Sequence, residues 1–303
     1  MTLNNTQHIS RPARTKAFAL LATMALAVLA TPAMAKDILT ATPVTYMLAT
    51  ELTRGTALET EFLPPKRYGM NRLPNWFASK GAEATVKAAQ GAQAVITLSA
   101  VWPADPLYVH ARQGNIRIVE IDASQAISPR AQGVAALRLA DGSISPYSWL
   151  NPANITRMAA IVGQDLQKIW PEHADRIAVN QQALMLEVRQ LINQQQQALF
   201  EAEVDSVILL SSELEDFASG NQLFVVERYT RPEIEWSKAD KQAFVELLNT
   251  DKTLWLLSAK KLSASMKAML PENVKVMVID SVDRWGREGI DAKEPLQRWE
   301  IRL

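Results

Sequence analysis

Apolar residues recur every three or four positions at Ile155, Met158, Val162, Leu166 and Ile169, a spacing that predicts one amphipathic helix. Asn151 ahead of it is a good N-cap, because its side-chain oxygen can accept from a free amide of the first turn. Pro152 fits the first helical position, where no amide hydrogen is missed. Pro171 breaks the run, and a second follows with Ile177, Leu184, Val188, Leu191, Ile192 and Leu199 on one side and glutamines on the other. The two helices are expected end to end, as a spacer. On either side the pattern changes to short apolar runs. Strands are expected at 37–41, 59–63, 94–98 and 116–121, with helices around Met47–Leu52 and over 76–89. Beyond the spacer, strands are expected at 204–210, 223–227, 254–257 and 274–279, and helices at 212–219, from Ser237 to about Leu248, and at 262–269. Ser237 and Asp240 form a weak capping box.

Alternating strands and helices of this length imply parallel sheets with helices on their faces. The fold class is α/β: two parallel-sheet lobes, at 36–150 and 204–303, joined by a long rigid helical element at 151–203, with a ligand cleft between them. In such sheets the binding loops follow the carboxyl ends of the strands. Those are 64–74, 99–106 and 122–129 in the first lobe, and 211–216, 228–236, 258–261 and 280–289 in the second.

The first 35 residues read differently. Arg11, Arg14 and Lys16 precede an apolar run of about 14 residues and the small-x-small site Ala33-Met34-Ala35, the layout of a cleaved signal peptide. That run is short of the roughly 20 residues a membrane span needs. The expectation is export to the periplasm and cleavage after Ala35. Cleavage would remove three of 32 basic side chains and none of the 32 acidic ones. The slightly acidic remainder argues against nucleic acid as a partner. With no cysteine in the 303 residues, neither disulfides nor thiolate metal sites are available. There is no glycine-x-serine-x-glycine elbow, paired-histidine zinc helix or phosphate-cradling glycine loop, so an enzyme is not expected.

Four motifs carry a resemblance. Leu63, Pro64, Pro65 and Pro74 flank Met70; Ser145-Pro146-Tyr147-Ser148-Trp149-Leu150 precedes the first spacer helix; Ser211 and Phe217-Ala218 follow a strand; Asp280 ends a late one. In order and spacing the chain resembles the periplasmic zinc and manganese solute-binding proteins of ABC importers. The resemblance implies a monomeric receptor that holds a zinc or manganese ion between two lobes and hands it to an ABC permease and its ATPase. It also implies four inherited ligand positions: Met70, Tyr147 and Ser211 where the family has histidines, and Asp280 for its carboxylate. His8, His110 and His173 occupy none of them.

Each position has a plainer reading. Asp280 can cap a turn. Tyr147 can ligate ferric ion as phenolate or pack its ring, and Met70 can bind Cu(I) through its thioether or simply pack. Trp149 belongs to the motif that opens the helix and is read as structural. Glu213, Glu215 and Asp216 suit a helix start, where the helix dipole favours negative charge. Basic loops suggest another ligand. Arg67, Arg72, Arg284 and Trp285 would suit an anionic metal chelate or small anion, through bidentate guanidinium contacts and stacking. A third reading is an accessory protein that keeps the fold for protein–protein contact.

Overall fold

Ile38 and Leu39, adjacent on one strand, enter two different cores, and the same holds for Val95 and Ile96 and for Ile208 and Leu209. Successive side chains of a strand point to opposite faces, so a continuous apolar run marks a sheet covered on both. The computed structural model describes residues 1–2, 36–126 and 132–302. The expected leader, beyond its first two residues, lies outside the described residues. The account below concerns Lys36–Leu303, one compact unit.

The first sheet contains β1 (Ile38–Thr40), β2 (Thr60–Phe62), β3 (Ala94–Thr97) and β4 (Val119–Asp122). All its pairs are parallel, in the order β2-β1-β3-β4. Helices α1 (Pro43–Leu52), α2 (Leu73–Phe77), α3 (Ala82–Ala89) and α4 (Leu107–Gly114) connect and cover it. Next come α5 (Pro152–Ile169) and α6 (Ala174–Glu201), the latter 28 residues and about 42 Å long at ~1.5 Å per residue. The second sheet repeats the first: β5 (Ser206–Leu209), β6 (Phe224–Arg228), β7 (Trp255–Ser258) and β8 (Lys275–Val278) lie in the order β6-β5-β7-β8, all parallel. Its helices are α7 (Glu215–Gly220), α8 (Lys238–Thr250) and α9 (Ala264–Met269). Two parallel α/β sheets linked through a long helix are the expected fold class.

Local chemistry explains the boundaries. Asn151 accepts from Ala153 N at 3.1 Å to start α5, and Ser237 and Asp240 close a full capping box on α8. The expected helix over 76–89 is two helices, because the chain turns at Gly81, where a Cβ would stand 2.6 Å from the Trp76 ring. Helix α4 was not anticipated. Of its eight residues only Leu107 and Ala111 are buried, too few to make a stripe.

The end-to-end reading of α5 and α6 is corrected: the helices lie side by side. Gln167 Nε2 donates to Gln181 Oε1 at 3.0 Å, and the same Gln181 side chain lies over Gly163. Stacked end to end, each apolar stripe would face solvent; folded back after Pro171, they bury one another. Near its start α6 is anchored to the first lobe, where Asn180 donates to Leu52 O at 2.9 Å and Arg54 O at 2.8 Å. Near its end it meets the C-terminal segment through Gln195 Nε2, which donates to Trp299 O.

From there a chain of buried hydrogen bonds crosses the molecule. Trp299 Nε1 donates to Trp149 O at 3.1 Å, and Trp149 Nε1 donates to Ser281 O at 3.0 Å, just after β8. Trp149 is fully buried in a core holding side chains of both sheets and both long helices. Its structural reading agrees with this position. Trp149→Phe should destabilise the protein by about 1–3 kcal/mol, the usual effect of leaving a buried carbonyl unpaired. A urea-unfolding midpoint equal to the parent's would contradict that role.

Candidate functional site

A cleft of about 690 Å³ opens at the carboxyl edge of the second sheet. The loops after β5, β6, β7 and β8 all line it, as expected for a parallel sheet. The first lobe contributes one loop, through Arg67, Gly69, Asn71 and Arg72. Among the described residues, those of the other two first-lobe loops expected at the edge, 99–106 and 122–126, do not line it. The lobes meet closely at Gly69, where a Cβ would stand 2.2 Å from Asp283 Oδ2.

Of the four inherited positions only Ser211 is among the residues lining the cleft, and all four side chains are otherwise engaged. Met70 is 3% exposed and packs in the shared core, as an adaptable apolar side chain does. The Tyr147 ring lies 5.4 Å from that of Trp149. Burial, reinforced by the nearby charges of Glu213 and Asp283, pushes its phenol pKa up, which disfavours a phenolate ligand. Ser211 Oγ accepts from Ala259 N at 3.0 Å, stitching two edge loops together. Asp280 is gripped by Arg298 at 2.8 and 3.1 Å and accepts from Val282 N at 2.9 Å. Arg298 also donates to Trp285 O and Gly289 O. A tetrahedral zinc site wants four free donors of nitrogen, sulfur or oxygen, and these four side chains do not supply them. Among the described residues no group of three or more His, Asp or Glu could hold a metal ion. His110 stacks on Phe77 in the first lobe, and His173 lies in the turn before α6.

The basic residues divide. Arg67, Arg72 and Arg284 line the cleft together, joined by Arg231, Lys260 and Lys261. Trp285 does not, and its expected stacking role is corrected. Its ring packs against Tyr46 at 4.8 Å and Phe62 at 4.7 Å, with Lys66 Nζ 5.8 Å away. Gly286 N donates to Lys66 O at 2.9 Å beside it. The indole thus fastens a second-lobe loop to the first lobe. Arg228 bonds Glu215 at 2.7 Å, away from the cleft.

Three acids also acquire separate roles. Glu213 and Asp283 line the cleft, and burial raises the pKa of both. Asp216 is 2% exposed at the start of α7, with Oδ2 lacking a partner. Lys260, Lys261 and Asp283 were not singled out in the sequence; their only signal was membership of loops at the binding edge.

Two sheets of one topology, a helical strut and a cleft between carboxyl-edge loops define a two-lobed solute-binding receptor. The sequence profile described as "ZnuA: Zinc-uptake complex component A periplasmic" matches residues 70–291. The chain belongs to this family of metal-type solute-binding receptors of ABC importers. A search of curated proteins finds no match. Among similar solved structures, ZnuA has a TM-score of 0.62 at 18% identity, with 82% of this chain and 92% of that one covered. AdcAII of Streptococcus pneumoniae has a TM-score of 0.62 at 14% identity, over 88% and 96% of the two chains. FpvC from Pseudomonas aeruginosa, in complex with Mn2+, has a TM-score of 0.60 at 14% identity, over 82% and 90%. At these identities the likeness is one of fold.

The buried acid gives a pH prediction. Burial lifts the Asp216 pKa from 3.8 to about 6. A carboxyl raised on folding contributes stability that is full below the unfolded value and is lost as pH rises from about 4 to 6. Between pH 4 and pH 7, Asp216→Asn should therefore gain on the parent by up to about 3 kcal/mol, at 1.36 kcal/mol per unit. Parallel stability–pH curves for the two proteins, from urea unfolding, would rule this out.

Proposed function

We propose that this chain is the solute-capturing component of an ABC importer. It is exported to the periplasm, cleaved after Ala35, and presents its cargo as a monomer to a permease and ATPase in the inner membrane. Family membership and the cleft support the receptor role. The zinc and manganese proteins of the family would imply a naked divalent ion as cargo. The side chains at the inherited positions favour a different cargo here, an anionic metal chelate or small anion. The observation that carries this reading is the six basic side chains around the cleft, against Glu213, Glu233 and Asp283 as its only acids among the described residues. Guanidinium groups bind carboxylate and phosphate oxygens bidentately, with geometry as well as charge.

Calorimetric titration of zinc and of manganese into protein purified without a tag tests the choice. The expected result is no stoichiometric uptake of either ion at micromolar concentration. One-to-one binding of either would return the bare ion as cargo. Thermal stabilisation by a partner protein, with none by any small ligand, would favour the accessory role.

A further inference from the structure

The cleft's size and the placement of its charges narrow the ligand class. At about 690 Å³ it falls within the roughly 300–1,000 Å³ typical of sites for organic ligands. A lone metal ion or an inorganic oxyanion would leave most of that space to water. The cations also stand on two walls. Arg67 and Arg72 come from the first-lobe loop, and both guanidinium groups lie against the Tyr68 ring, 5.5 and 5.7 Å from its centre. Lys260, Lys261 and Arg284 come from the loops after β7 and β8 of the other lobe.

These charges are largely free to meet a ligand. Among the described residues, Arg67, Arg72, Lys260 and Lys261 take part in no ion pair, and Arg284 reaches only its neighbour Asp283, at 3.9 Å. A single compact anion would engage few of these five cations and leave most of the cleft unfilled. Two or more anionic groups held apart by a molecular body would engage more of them.

The remaining lining suits such a body. Tyr229, Pro232, Ile234, Trp236, Leu262 and Met266 make an apolar side to the cleft. Tyr229 and Trp236 are held by packing, with ring centres 5.0 Å apart and both resting on Phe244. Trp236 Nε1 donates to Arg231 O at 3.0 Å, so the indole is fixed next to the basic rim. A cavity with an aromatic side and cations from both lobes pairs rings and alkyl groups with one part of a ligand and carboxylates with another.

We propose that the cleft binds an organic polyanion, with two or more carboxylate-type groups around an apolar or ring-bearing body that spans the lobes. This rests on the anionic-cargo reading above and specifies its ligand. Arg67 and Arg72 would hold one anionic group, Arg284 and the lysine pair another, and Trp236 the body between them.

Benzene-1,3,5-tricarboxylate, its uncharged triamide and inorganic phosphate are the probes, followed by calorimetry and tryptophan fluorescence at low salt. The tricarboxylate should bind saturably at one per chain, more weakly as salt is added. The triamide and phosphate should bind at least about tenfold more weakly, as should the tricarboxylate to Arg67→Ala or Arg284→Ala, since a hydrogen bond to a charged group is worth about that factor. Arg67→Lys, which keeps the charge on an exposed side chain, should retain part of the affinity. The proposal is overturned by phosphate or triamide binding as tightly as the tricarboxylate, by absence of saturable tricarboxylate binding, or by unchanged affinity in both alanine variants. Tight phosphate binding alone would end this proposal and leave the anionic reading intact. Stoichiometric zinc or manganese uptake would end the anionic reading itself.

Discussion

The molecule depends on the burial of one indole. Trp149 sits where the two lobes and both long helices meet, and its two hydrogen bonds run in opposite directions. Its ring nitrogen reaches the loop after β8, and its carbonyl receives Trp299, which in turn is held by Gln195 of α6. A tryptophan buried this completely contributes a large apolar area while demanding a partner for its N–H. The partner chosen, Ser281 O, adjoins both Asp280 and the cleft-lining Asp283. Packing at the centre therefore sets the geometry at the rim.

The lobes share one hydrophobic core. Domains that meet over small polar interfaces usually move relative to each other, and a large apolar interface opposes this. Here the apolar contact is reinforced at the edge by Trp285, which brings its loop against Tyr46 and Phe62. The cleft is a gap between loops on a stiff frame. Its selectivity then rests on side chains already in place, which is how preorganisation favours affinity.

Much of this was legible in the chain. Short apolar runs gave the sheet strands, Asn151-Pro152 gave the start of α5, and Ser237 with Asp240 gave that of α8, because each signal is local. The motif order gave the family. What escaped was set by contacts distant in sequence. Nothing around Pro171 distinguishes a continued spacer from a helix folding back; the choice is made by the stripe each helix can bury. Asp280 read as a possible ligand because its partner, Arg298, lies 18 residues away, beyond a loop without periodicity. Trp285 and Arg284 are neighbours in sequence, yet one packs between lobes and the other faces the cleft. Alternation of that kind in an irregular loop has no period to read.

The grip of Arg298 on Asp280 has one more consequence. The guanidinium is a counter-ion tethered to the backbone, so neither dilution nor a chelating agent can strip it away. Here the charge of the turn carrying Ser281 and Asp283 is balanced from within the chain.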